Sequence, residues 1–246
     1  MEAAREIRNA VAKVSLLRKA ADASAPLRAA LTEVKQLQSR RFAGTYADLL
    51  AARPYGAATR FFLEELYSDK DYAERDAQFA RIAGAIERLF PAQVASTAVA
   101  LAQLHALTEE LDQAMAEAWL APGDEGPGEA QRYAAAWRRV GRRADRENQL
   151  SVVLGIGRQM ARLTRTPGLR TMLRMMRAPA VASGLGSLQH FLETGFETFA
   201  GVVRQGKADE FLGIVEGREA ALITLLFDAD AVACEIELGR ILGQAP

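Results

Sequence analysis

Two histidines are the only imidazoles in the chain, and both stand near carboxylates at helical spacing. His105 is followed by Glu109 and Asp112, and His190 by Glu193 and Glu197. Those intervals place each histidine and its acids on one helix face. Two such helices side by side could hold a divalent metal inside a bundle, with Glu64 as a further ligand. Di-iron bundles order the motif as Glu-x-x-His, however, and here it is reversed, which changes where ligand atoms converge. His190, Glu193 and Glu197 also fall opposite Leu188, Leu192, Phe196 and Phe199, on the polar side of their helix. A boundary histidine such as His105 commonly serves as a hydrogen-bonded packing residue. A metal- or cofactor-dependent helical-bundle enzyme of oxidase type, built on Glu64, His105, Glu109, His190, Glu193 and Glu197, is thus the alternative reading.

The strongest charge signal lies elsewhere. From Arg138 to Arg177 the chain holds eleven arginines against Asp145 and Glu147, a balance of +9. Residues 178–246 carry −6 and residues 62–76 carry −4. Arg158, Arg162 and Arg165 recur at three- to four-residue steps, so they form a stripe, and Arg170 and Arg174 continue the basic segment. Met172 and Met176, with Leu169 and Leu173, give an apolar face among these arginines, and methionine suits an adaptable surface. Such a face could bind an acidic protein partner or a small anionic ligand. Pairing with the acidic segments would absorb the same charges internally. Nucleic acid is disfavoured, because no aromatic residue occurs from 138 to 177 and no helix-turn-helix signature accompanies the stripe.

The remaining chemistry is thin. The acidic segment at 62–76 (Glu64, Glu65, Asp69, Asp71, Glu74 and Asp76 among its acids) lacks the order of a calcium loop. Asp71 with Glu74 resembles a capping box. Gly155 and Gly157 lack the strand and third glycine of a dinucleotide fingerprint. Along with Gly195 and Gly201 they suit close helix–helix approach. Cys234 stands among acids, which would raise its thiol pKa and argues against a nucleophile.

What must position these residues is helical. Of 246 residues, 48 are Ala and only 17 aromatic, and 31 basic residues balance 31 acids. Hydrophobic period is helical almost everywhere, with no alternating strand pattern. Helices are expected at about 2–21, 27–52, 57–67, 72–89, 92–119, 130–163, 167–177, 187–204 and 207–242, with breaks inside the longest. Ser24 before Pro26 reads as a cap followed by a first-turn proline. The fold class is all-α, a bundle of about eight to ten helices in one interwoven domain. Residues 1–33 form an amphipathic N-terminal region, with Ile7, Val11, Val14 and Leu17 on one stripe. Residues 34–240 form the helical domain, interrupted by a Gly/Pro-rich loop at 121–128. One Cys excludes a disulfide framework and a cysteine-built zinc site. No stretch has the uninterrupted apolar core of a secretory signal or the length of a membrane span, so a cytoplasmic protein is expected.

Several segments carry a resemblance. They are Arg40-Arg-Phe-Ala-Gly-Thr-Tyr-Ala-Asp-Leu-Leu50, Arg60-Phe-Phe-Leu-Glu-Glu-Leu-Tyr67, Glu74-Arg-Asp-Ala-Gln-Phe-Ala80, Leu104-His-Ala-Leu-Thr-Glu-Glu-Leu-Asp112, Pro167-Gly-Leu-Arg-Thr-Met-Leu173 and Leu192-Glu-Thr-Gly-Phe-Glu-Thr-Phe199. Together they resemble an uncharacterised family of all-helical, mostly proteobacterial proteins, over roughly residues 34–230. The resemblance implies a bacterial helical protein and brings no activity, cofactor or site residue with it. From the residues themselves, the leading expectation is a non-enzymatic binding protein that uses its arginine-rich face (Arg158, Arg162, Arg165, Arg170, Arg174, Met172, Met176). No cofactor is expected under that reading, and a divalent metal only under the alternative.

Overall fold

The computed structural model describes residues 2–65, 72–121 and 128–245, and every regular element among them is a helix. In chain order these are α1 (Glu2–Asp22), α2 (Ala25–Thr45), α3 (Ala47–Ala51), α4 (Gly56–Glu65), α5 (Ala73–Leu89), α6 (Ala92–Trp119) and α7 (Glu129–Val140). There follow α8 (Arg143–Leu163), α9 (Leu169–Met175), α10 (Arg177–Ala182), α11 (Gly186–Arg204), α12 (Ala208–Asp228) and α13 (Ala231–Leu242). The helices outnumber the eight to ten expected, because the long periodic stretches break at local signals. Gly141 takes a left-handed conformation, φ 65°, and ends α7 before α8 begins. Only glycine adopts that conformation without a steric penalty. Ala229 is extended, and the Asp230 side chain then caps α13 by accepting from the Ala233 N–H at 2.9 Å. Ser24 caps α2 as its position before Pro26 predicts. The Asp71 half of the proposed capping box and the interior of the Gly/Pro-rich loop, residues 122–127, lie outside the described residues.

The largest buried cluster joins Val34 and Leu37 of α2, Met115 and Trp119 of α6, Trp137 of α7, Leu226 of α12 and Leu238 of α13. It therefore takes residues from both sides of the 121–128 loop. The apolar stripe of α1 is consumed internally: Ile7, Ala10 and Val14 pack against Ala83 of α5 and Ala102 and Ala106 of α6. No helix among the described residues is long and apolar enough to cross a membrane.

Two long helices position the interior. α6 and α8 pass each other in opposite directions, and each changes character along its length. The C-terminal half of α6 brings Thr108 and Asp112 inward, while its N-terminal half brings Val94 and Leu101. On α8 the order is reversed, with Arg146 and Gln149 early and Met160 and Leu163 late. The polar ends and the apolar ends of the pair therefore face each other.

Candidate functional site

Along that axis lies a row of three cavities whose walls are shared. The first, of about 60 Å³, is polar. It is walled by Arg41 of α2, Asp112 of α6, Tyr133 and Trp137 of α7, Arg146 of α8 and Glu219 of α12. All but Glu219 of these are buried, which is unusual for two arginines and an aspartate unless they are paired. Arg41 Nη1 donates to Glu219 Oε1 at 2.7 Å, and the Tyr46 hydroxyl donates to the same oxygen at 2.9 Å. The Arg146 guanidinium lies 4.3 Å from the Trp137 ring centroid and donates to Gln149 at 3.4 Å. Four further groups are left over. Arg41 Nε, Asp112 Oδ1, Tyr133 Oη and Trp137 Nε1 are buried and complete no hydrogen bond. The Trp137 indole N–H favours the Tyr133 oxygen electrostatically, but not at bonding geometry. Burial pushes the Asp112 carboxyl up, despite the opposing charges of Lys35 and Arg146, and pushes the Tyr133 phenol up as well.

The second cavity, of about 90 Å³, shares Phe62, Thr108 and Val153 with the first. It contains His105, whose Nε2 lies 3.0 Å from Asp76 Oδ2, with Arg18 Nη2 donating to the same oxygen at 2.8 Å. Burial pushes the Asp76 carboxyl up, but the His105 contact and the Arg18 charge outweigh it and hold Asp76 below the usual range.

The third and largest cavity, of about 330 Å³, shares Phe62, Phe79, Leu101, Ile156 and Phe191 among others with the second. Its lining is almost wholly hydrocarbon. The few polar side chains in it are already satisfied: Thr97 donates to Gln93 O, Thr198 to Thr194 O, and Gln189 to Leu173 O and Glu193. It reaches the surface between α5 and the α9–α10 pair, where Leu89 and Met176 line it and are exposed.

The segments that carry the family resemblance converge here. Arg41, Phe42 and Tyr46 wall the polar cavity, and His105, Thr108 and Asp112 link it to the middle one. Phe61, Phe62, Phe79, Leu192, Phe196 and Phe199 wall the apolar one.

The residues singled out for a metal are dispersed. His105 pairs with Asp76 inside, whereas His190 is exposed on α11 and borders a surface cleft with Glu64 and Glu65. Glu109 is bonded by Lys35 Nζ at 2.8 and 2.9 Å, Glu193 by Arg177, and Glu197 by Arg170 and Arg174. Among the described residues no group of three or more His, Cys, Asp or Glu is arranged to hold a metal ion. The lysine and arginines occupy the carboxylates that a metal would need.

The arginine segment divides into two parts. Arg170, Arg174 and Arg177 form ion pairs with α11, and Arg142 and Arg143 reach Glu110, Asp145, Glu147 and Asp228. Arg158, Arg162 and Arg165 are exposed and have no acidic partner among the described residues, Arg162 meeting only Gln159. Met172 is half-buried against Leu163, Leu169, Phe196 and Ala200, and Met176 lines the apolar cavity. Cys234 is buried, and burial raises its thiol more than its acidic neighbours do, with Arg138 opposing and Asp230 adding.

Sequence reasoning missed Arg41 and Arg146 as a pair. They are 105 positions apart, and no periodic signal connects α2 to α8.

No curated protein and no solved structure matches the chain. The family model described as "Domain of unknown function (DUF8198)" matches residues 17–233. That span holds every wall of the polar and apolar cavities, and the chain belongs to this family.

Proposed function

We propose that this protein binds a hydrophobic small molecule inside the bundle, as a carrier or store of it. One observation carries the reading: a cavity of about 330 Å³ whose polar groups are all spent on their own backbone or neighbours. Such a wall offers a ligand contact and exclusion from water but no hydrogen bond, which selects hydrocarbon. The volume is about twice that of an engineered cavity that takes up benzene. The exposed Leu89 and Met176 give the ligand an entrance.

The test is titration with an uncharged apolar fluorophore, N-phenylnaphthylamine. The wild-type protein should bind one equivalent and gain thermal stability as the dye saturates it, because the dye is held by the folded state alone. Leu101→Trp places an indole into the cavity from α6 and should weaken binding at least tenfold with the helical circular dichroism retained. Val94→Phe does the same from the outer end. Equal binding to all three proteins would remove the cavity from the explanation.

A second reading rests on Arg158, Arg162 and Arg165, which remain exposed without acidic partners among the described residues. They would hold an acidic protein segment. A labelled poly-glutamate peptide should bind in a salt-sensitive manner and lose that binding when the three are changed to Glu. Binding that survives the triple reversal would dismiss this face.

A further inference from the structure

We infer that the α9–α10 segment, residues 168–184, is a lid over the apolar cavity, hinged at two glycines and latched to α11 by arginine–glutamate pairs that break to admit or release a ligand. The inference rests on the apolar-cavity reading and adds to it how the cavity is opened. Three observations lead there.

The first is the segment's two faces. Leu169, Leu173, Met176 and Ala180 line the cavity from the lid side. Arg170, Arg174, Met175 and Val181 are exposed, and of the whole segment only Leu169 and Ala180 are buried. A single layer of short helices therefore separates this side of the cavity from solvent. Segments with so few buried contacts open at lower free energy than the core beneath them. Met176 is also one lip of the mouth, opposite Leu89 of α5, so movement of the lid widens the mouth.

The second is the ends. Gly168 and Gly184 take left-handed conformations, φ 79° and 66°. Nothing lies within 4 Å of a Cβ built at either glycine, so neither turn is wedged by a neighbour. Backbone rotation there is absorbed at glycine, without displacing packed side chains.

The third is the latch. The segment holds three arginines and no acid. All three arginines pair with α11, which forms the adjoining wall. Arg170 grips both oxygens of Glu197 at 2.6 and 2.5 Å, and Arg174 adds a contact to Glu197 at 3.1 Å. Arg177 donates from Nε to both oxygens of Glu193, at 3.0 and 3.2 Å. Forked arginine–carboxylate pairs fix orientation. Exposed as they are, they are individually weak and screened by salt, which suits a catch that must release. Near the second hinge Arg81 of α5 holds the Ser183 carbonyl at 2.6 Å, so the lid is pinned close to its pivot and latched along its length.

The experiment follows N-phenylnaphthylamine entering the whole chain by stopped flow, and leaving it on dilution of the loaded protein. Glu193→Gln/Glu197→Gln should speed both entry and exit by roughly tenfold, as expected for the loss of three exposed ion pairs. Affinity should stay within about twofold, because free and loaded protein lose the same latch. Added NaCl should accelerate the wild type and have little effect on the double variant. Arg177→Cys/Glu193→Cys, in a Cys234→Ala background and bridged by a short bismaleimide, should slow both rates well below those of the same protein unbridged. Rates that ignore both the double variant and the bridge would overturn the lid while the cavity reading stands on its affinity. Faster exit with unchanged entry would also overturn it, since Glu193 and Glu197 would then be holding the bound site and not the gate. A wild-type protein that takes up no dye would overturn both readings.

Discussion

Replacing Gly44 by alanine is expected to cost about 3–5 kcal/mol of stability and to lower the melting temperature by on the order of 10 °C. A Cβ built on Gly44 of α2 would lie 1.9 Å from the Ile241 carbonyl oxygen of α13, and 2.8 Å from its carbon. Both are backbone atoms, so no side chain can swing aside. The two helices would have to part, and the contact they share includes Val34, Leu37, Leu238 and Ile241 of the largest buried cluster. Gly213→Ala provides the control. That glycine also sits inside a helix, α12, but nothing lies within 4 Å of an added Cβ. There the methyl should stabilise by about 0.5–1 kcal/mol through helix propensity alone. Urea unfolding of both variants checks the contrast. Equal and small effects would mean that α2 and α13 are not in contact at Gly44.

Asp76→Ala is expected to destabilise by roughly 2–4 kcal/mol at neutral pH. Asp76 of α5 is the single acceptor that joins Arg18 of α1 to His105 of α6, and it is buried. Its removal leaves both partners half-buried with no carboxylate between the three helices. The effect should depend on pH with a definite sign. Because Asp76 titrates below its ordinary range when folded, its contribution is complete above an unfolded carboxylate pKa of about 4 and is lost as pH falls through the lower folded value. Denaturant unfolding of wild type and Asp76→Asn should therefore differ above the unfolded carboxylate pKa and converge as pH falls through the lower folded one. A gap that stays constant across that range would show that the carboxylate charge is not what holds the helices.

These two residues also show how much could be read in advance. Gly44 and Asp76 lie in segments that carry the family resemblance, yet neither stands out by its spacing. The carbonyl that makes Gly44 indispensable belongs to a residue almost two hundred positions away. His105 was legible as a boundary residue on an apolar stripe, and it is a hydrogen-bonded packing residue with a buried acid. What its helix could not disclose is that the acid is Asp76 on α5 rather than Glu109 on its own face. Glu109 has the right spacing for His105 but turns to Lys35 of α2. For the arginines the outcome is split. Internal pairing absorbs Arg170, Arg174 and Arg177, but through Glu193 and Glu197 of the adjoining α11, the very acids that a metal reading had claimed.

Helical class, most helix ends and the amphipathic stripe of α1 were determined by the sequence alone, because each depends on side chains within one or two turns of each other. A left-handed glycine, a capping serine or a proline in a first turn acts on its own backbone. The row of cavities was decided by tertiary structure. Its polar end needs Arg41 and Arg146 brought together across α2 and α8, and its apolar end needs aromatic residues from α4, α5 and α11. A cavity is a property of what the packed helices leave between them, and hydrophobic period reports which face turns inward but not whether those faces fill the space they enclose.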